Sequence, residues 1–94
     1  MDRFEAMKVF VTAVEEGSLA AAGRRLKRSP AAVTRAVAFL ERRIGIQLLH
    51  RTTRALKLSE AGDRYVVACR RVLANLNFFE PAGNLRSAAL KEKT

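Results

Sequence analysis

A serine–proline pair set three residues beyond an apolar helical stretch limits this chain more than any other feature. In Ser29-Pro30-Ala31-Ala32-Val33-Thr34-Arg35, Ser29 suits a helix N-cap and Pro30 the first helical position, where a missing N–H costs nothing. Upstream, Ser18 caps a short helix with Leu19, Ala22 and Leu26 inward, and Ala20, Ala21 and Ala22 permit close packing on a neighbour. The connection Lys27-Arg28-Ser29 admits only a tight turn, so the two helices form a helix-turn-helix. With Val33 at the origin of a helical wheel, Val37, Leu40 and Ile44 fall within about 40° of it, a core stripe. The opposite face carries Ala31, Thr34, Arg35, Ala38 and Arg42. The alanines keep that face low, while Thr34 and Arg35 supply hydroxyl and guanidinium donors. Such a face suits a helix entering the DNA major groove, where arginine binds guanine edges in a fork and threonine offers a hydroxyl and a methyl. Alone, the same segment also fits an ordinary amphipathic surface helix.

Charge separates these readings. The net charge of +9 is unevenly placed. Residues 1–23 hold two bases and four acids, whereas residues 24–57 hold ten bases and a single acid, Glu41. Residues 58–94 hold six bases and four acids. The positive charge thus gathers around the second helix of the pair, on a helix, a turn, a further helix and an expected hairpin. That distribution fits a folded polyanion-binding surface better than a basic tail or a membrane-surface helix. No long uncharged apolar run is present to span a membrane, and the first residues, Asp2, Arg3 and Phe4, form no apolar signal stretch, so a cytoplasmic location is expected. The single Cys69 forms no intramolecular disulfide, and His50, the only histidine, has no partner at ligand spacing. No metal and no cofactor are expected. No paired carboxylates, nucleophile–base arrangement or phosphate-cradling glycine loop marks an enzyme.

The rest of the 94 residues completes one small domain. Asp2 and Glu5 have capping-box spacing before Phe4, Met7, Phe10, Val11 and Val14, and Gly17 stops this first helix, which spans 2–16. Met7 is core filler. Gly45 closes the helix begun at Pro30, Leu48 and Leu49 are expected to be buried, and 51–58, alternating from Ala55, reads as a small β-hairpin. Ser59 caps a long helix running to Glu80, stopped by Pro81 and Gly83. Its stripe of Tyr65, Cys69, Val72, Leu76 and Phe79 is heptad-like, and about 22 residues make it roughly 33 Å long. A homodimer through this helix is expected, with packing on the first helix of the same chain as the alternative. The fold class is therefore mainly α: a winged helix-turn-helix over 1–58, with a three-helix core and a hairpin wing, then a linker and dimerisation helix over 59–80. Residues 81–94 form a tail or the start of a further domain.

These segments together resemble the N-terminal DNA-binding domain and linker helix of a LysR-type transcriptional regulator. The resemblance runs from Phe4 to Leu76. It is carried by Phe10-Val11-Thr12-Ala13-Val14-Glu15-Glu16-Gly17-Ser18, by Ala21-Ala22 to Leu26, and by Ser29-Pro30 through Thr34-Arg35-Ala36-Val37 to Leu40-Glu41. Ile44-Gly45-Ile46-Gln47-Leu48-Leu49, Arg51-Thr52-Thr53-Arg54 and Leu58-Ser59-Glu60-Ala61-Gly62 follow in order. It implies a sequence-specific dimer on an interrupted palindrome in double-stranded DNA, with the recognition helix, about 30–43, in the major groove and the wing at the adjacent minor groove. Position by position, Ser29, Pro30, Ala31, Thr34 and Arg35 fall where the family contacts DNA from that helix, and Arg54 falls where the wing reaches the minor groove. Ser18 and Arg51 fall where phosphate is contacted or the wing buttressed.

Two positions depart from the family pattern. Arg28 stands where an apolar residue is usual, and reads either as an extra phosphate contact or as a solvated turn residue. Ala31 stands where proline or serine is frequent. The family also continues into an effector-binding domain of two α/β lobes, so a small-molecule effector is expected only for a full-length form that carries it. Arg24, Arg25, Lys27, Arg42 and Arg43 read as sequence-independent attraction or solvated charge. Two rivals stay open from the residues alone: a non-specific nucleoid-type binder, and an interaction module that uses the long helix without nucleic acid.

Overall fold

The computed structural model describes residues 2–51 and 56–79, and gives the backbone alone for Arg51 and for residues 76–79. Four helices and one hairpin follow in the order α1 (Arg3–Glu16), α2 (Leu19–Leu26), α3 (Pro30–Ile44), β1 (Leu49–Arg51), β2 (Leu56–Leu58) and α4 (Glu60–Phe79). Each helix start is capped as its residue type dictates. The Asp2 carboxylate accepts from Phe4 N–H at 3.3 Å, Ser18 Oγ from Ala21 N–H at 3.1 Å, Ser29 Oγ from Ala32 N–H at 3.1 Å and Ser59 Oγ from Gly62 N–H at 2.9 Å. Gly17 and Gly45 end α1 and α3 in the left-handed region, with φ of 72° and 73°.

Helix α1 is the hub. Helices α2, α3 and α4 all pack on it, and α2 packs on α3. Ala6, Val9, Phe10 and Ala13 are fully enclosed, and Met7 and Val11 nearly so. Thr12, buried among them, donates its hydroxyl to the Lys8 carbonyl at 2.8 Å, which satisfies it without a partner on another helix. The expected stripe on α1 is therefore too narrow, because the helix is covered on more than one side. It is also wrong at its start: Phe4 is 36% exposed, with the Arg3 guanidinium over its ring at 5.6 Å. On α3, Val33, Val37 and Leu40 are buried as expected, together with Ala36. Ile44, the last residue of the helix, is 37% exposed.

The hairpin begins two residues before the expected 51–58. Strands β1 and β2 pair antiparallel in the register Leu49↔Leu58, His50↔Lys57 and Arg51↔Leu56. Leu48 and Leu49, expected to be buried, are so. Thr52, Thr53, Arg54 and Ala55 lie outside the described residues, as do Glu80 and the 81–94 tail.

Of the stripe expected to meet a partner chain, with packing on the first helix as the alternative, Cys69 follows the alternative: it has no exposed surface within this chain, and Val66 is buried beside it in the common core. Tyr65 is half-buried with its ring centroid 5.8 Å from that of Phe10, and Val72 packs partly buried against the same core. A residue already enclosed by its own protomer has no surface left for a second copy to cover. Leu76 and Phe79 lie on α4, but their side chains fall outside the description. Among the described residues, the exposed large apolar side chain on α4 is that of Val67, 46% exposed, on a different face from Cys69.

The turn between α2 and α3 rests on one glycine. Lys27 N–H donates to Arg24 O at 3.3 Å and Arg28 N–H to Gly23 O at 2.8 Å, the pair of bonds of a Schellman ending. Lys27 takes the left-handed position, with φ of 60°. A Cβ at Gly23 would lie 2.5 Å from the Arg28 carbonyl oxygen, so only glycine lets the chain double back so closely.

Three substitutions test this packing. Gly23→Ala is expected to lower stability by about 1–3 kcal/mol by forcing the turn open. Lys27→Gly should raise it by about 0.5–1 kcal/mol, since relief of left-handed strain exceeds the extra chain entropy of glycine; urea denaturation of both variants checks the opposite signs. Burial pushes the Cys69 thiol up to about 11, and burial also raises the Tyr65 phenol. Below about pH 9 both folded and unfolded chains hold the thiol proton; above it the unfolded chain releases it first, so stability falls as pH climbs toward 11. Cys69→Ala is expected to flatten part of that decline in melts between pH 8 and 11.

Candidate nucleic-acid interface

Helix α3 presents the face that the sequence singles out. Its buried side fixes its rotation on α1 and α2, which leaves Ala31, Arg35 and Arg42 exposed and Thr34 and Ala38 half-buried on the other side. Ser29 and Pro30, at its start, are exposed. No acidic residue occupies its first turn, so the unpaired N–H groups and the positive end of the helix dipole face outward without a competing carboxylate. Among the described residues Arg35 makes no ion pair.

The neighbouring basic residues divide into paired and free ones. Arg25 bridges Glu15 at 3.0 Å and Glu16 at 3.1 Å, both on the last turn of α1. Hydrogen bonds to Glu16 and then Glu15 raise its already high pKa. Arg28 pairs with Glu5 in the first turn of α1. Its alternatives from sequence were phosphate or solvent; the structure instead gives it a carboxylate partner that ties the α2–α3 turn to α1. Arg43 lies over the Phe39 ring at 5.8 Å. Arg24, Lys27 and Lys57 are exposed, with no ion pair among the described residues.

Ser18 is half-buried, and its oxygen already accepts from Ala21 N–H as the cap of α2. Its hydroxyl proton stays available to donate. Arg51 stands opposite Leu56 at the end of β1, with its side chain outside the description, and Arg54 lies outside the described residues altogether. The expected contacts at Ser29, Pro30, Ala31, Thr34 and Arg35 thus share one end of α3, with Arg28 just before it.

Sequence reasoning missed the anchorage of the hairpin. The Glu41 carboxylate accepts from Leu48 N–H at 2.8 Å and Leu49 N–H at 3.3 Å. Gln47 Nε2 donates to Leu49 O at 2.9 Å, and Ser59 Oγ donates to Gln47 O at 2.7 Å. Ser59 N–H donates to Leu48 O at 2.9 Å, and a Cβ at Gly62 would come within 2.2 Å of that same oxygen. Gly62 therefore lets α4 press directly on the strand. The available signal was Glu41 itself, an acid alone in a strongly basic stretch.

Beside the hairpin lies an open cleft of about 570 Å³, bounded by Val14, Gly17, His50, Lys57 and Asp63 among others. His50 and Lys57 face each other across the ladder on its rim. Among the described residues, no three His, Cys, Asp or Glu side chains come together as a metal site, and no helix is long and apolar enough to cross a membrane.

Comparison with known proteins gives these features a context. A family model described as "Bacterial regulatory helix-turn-helix protein, lysR family" matches residues 4–63. The chain is 42% identical over 73 residues to the HTH-type transcriptional activator AaeR of Escherichia coli (strain K12), covering 78% of this chain and 24% of AaeR. It is 45% identical over 80 residues to an HTH-type transcriptional regulator of Xanthomonas campestris pv. campestris, covering 84% of this chain and 23% of the relative. The CbnR DNA-binding domain, solved as a DNA complex, superposes with a TM-score of 0.80 at 34% identity, over 95% of this chain and 99% of that one. The BenM DNA-binding domain on catB site 1 DNA superposes at 0.78 with 29% identity, over 84% of each chain. The chain spans about a quarter of the length of the curated relatives it matches.

Proposed function

The chain belongs to the lysR family of bacterial regulatory helix-turn-helix proteins, and on that premise we propose that it reads double-stranded DNA for a transcriptional regulator by placing the N-terminal half of α3 in the major groove. One observation carries this reading above all: Arg35 stands exposed, without an ion pair among the described residues, on a helix whose reverse side buries Val33, Ala36, Val37 and Leu40. An arginine held on a rigid helix and free of carboxylates can offer its fork to a guanine edge without first breaking a pair. Thr34 lies beside it, and Ala31 and Ala38 keep the surface low enough for close approach.

Other roles divide by chemistry. Ser29 and the first N–H groups of α3 suit a phosphate at a helix N-terminus. Ser18, Arg28 and Arg51 are assigned to phosphate or to buttressing, with Arg28 having to exchange Glu5 for a phosphate oxygen to make its contact. Arg54 is assigned to the minor groove beside the wing. Residues 1–58 form the DNA-binding portion and 59–80 the linker. The protein acts as a homodimer through α4, using the face that carries Val67 rather than the enclosed Cys69, on a site of two half-sites with a gap between them. The DNA complexes formed by CbnR and BenM support the reading, since their domains share this fold at 34% and 29% identity. A cytoplasmic location goes with it, since that is where a bacterial chromosome lies.

The test is affinity on two duplexes: one enriched from a random pool by the wild-type chain, and one of random sequence. Arg35→Ala is expected to lose about 1–3 kcal/mol on the enriched duplex and little on the random one, with the salt dependence nearly unchanged. Equal losses on both would identify a charge-driven, non-specific binder and remove the base-reading role from Arg35.

A further inference from the structure

Glu41 is the only acid between residues 24 and 57, on a surface whose ten bases would attract a polyanion. A carboxylate there works against that attraction. It is nonetheless held by two backbone donors, Leu48 N–H at 2.8 Å and Leu49 N–H at 3.3 Å, both on buried residues. We infer that Glu41 is a positioning residue that sets the direction of the hairpin relative to α3, so that both elements meet one duplex together. The groove contact of the hairpin rests on the DNA-binding reading above; the hold of Glu41 on the hairpin does not.

The ladder explains why a side chain is needed. Ser59 N–H donates to Leu48 O, and bonded and non-bonded pairs alternate along an antiparallel ladder. Leu49 and Leu58 are then a non-bonded pair, and Leu49 N–H points away from β2. Glu41 takes the place that a third strand would fill. Between the end of α3 at Ile44 and Leu48 stand only Gly45, Ile46 and Gln47, with Gly45 already in the left-handed region, so the backbone alone leaves the exit direction open. Gln47 Nε2 donates to Leu49 O within the same segment, the remaining polar attachments described at the hairpin base run to Ser59 at the head of α4, and Gly62 closes α4 onto Leu48 O. Without Glu41 the hairpin would move with α4. With it, hairpin, α3 and α4 hold a fixed relation.

Three variants of the full chain test this. Glu41→Ala removes the acceptor, Glu41→Asp keeps the charge but shortens the reach, and Glu41→Gln keeps an acceptor oxygen at full reach without the charge. By NMR, Ala and Asp are expected to speed amide exchange at Leu48 and Leu49 at least tenfold. Residual dipolar couplings of Leu56–Leu58 should then no longer fit the orientation of α3, while α1–α3 fit one another as before. On the enriched duplex the same two variants should lose hydroxyl-radical protection in the minor groove beside the half-site and keep guanine N7 protection under α3. Gln is expected to retain both protections and slow exchange. Unchanged hairpin couplings in Ala and Asp would overturn the inference, as would Asp behaving as wild type while Gln behaves as Ala, which would make charge rather than reach the property that matters. If the wild-type chain protects no duplex, the DNA-binding reading fails, and exchange and couplings still decide what Glu41 holds. If Glu41→Ala does not fold, the contrast between Asp and Gln decides it.

Discussion

Enclosure of α1 is the constraint on which the rest of the molecule depends. Phe10 sits at its centre with no exposed surface, flanked by Val9 and Ala13 and touched at 5.8 Å by the Tyr65 ring from α4. Burying one such phenylalanine contributes about 1.5–3 kcal/mol, and a domain this small has few residues of that size. Three helices must surround α1 to supply the cover, which dictates where each of them lies. Helix α3 acquires its rotation from this requirement: Val33, Ala36, Val37 and Leu40 go inward, so Ala31, Thr34 and Arg35 come outward. The face proposed to meet DNA is thus a by-product of core packing. Helix α4 is recruited to the same core through Val66 and Cys69, so it is part of the domain as well as the route to whatever lies beyond it.

Acids on α1 then sort the bases. Glu5, Glu15 and Glu16 lie at the two ends of the hub helix and engage Arg28 and Arg25. These are partly exposed pairs and add little stability. Their larger effect is on direction: they turn two cations toward the protein, whereas Arg35 faces outward with no ion pair among the described residues. A chain with net charge +9 can attract any polyanion. A surface on which Arg35, without an ion pair among the described residues, stands on a rigid helix beside a carboxylate-free N-terminus is better suited to choosing among sequences.

What could be read from residues alone follows the range of the interactions. Helix starts at Asp2, Ser18, Ser29 and Ser59 depend on side chains bonding N–H groups two or three positions away, and stops at Gly17 and Gly45 on glycine's own left-handed φ, so all were legible. So was the inward side of α3, because helical periodicity sets it. The LysR resemblance, resting on ordered motifs rather than any one residue, reached the family. Features made by distant contacts were not legible. Gly23 owes its necessity to the Arg28 carbonyl, and Gly62 to the Leu48 carbonyl. Phe4 and Ile44 fit their helices' apolar stripes but stand at helix ends, and each is more than a third exposed. Cys69 fits a heptad stripe equally well whether α1 or a partner covers it. The hairpin begins at Leu49 rather than Arg51, where Leu49 pairs with Leu58, and its first amide is held by Glu41, eight residues earlier in the chain.

The measurement that bears most directly on this picture is an amide-resolved NMR titration of the chain with its enriched duplex. If core packing delivers α3 to the groove, the largest shift changes fall on Ser29–Arg35, with a second set on the hairpin strands and little change in the middle of α1. Changes confined to α4 and its arginines, with α3 silent, would contradict it and would place the binding surface on the linker helix instead.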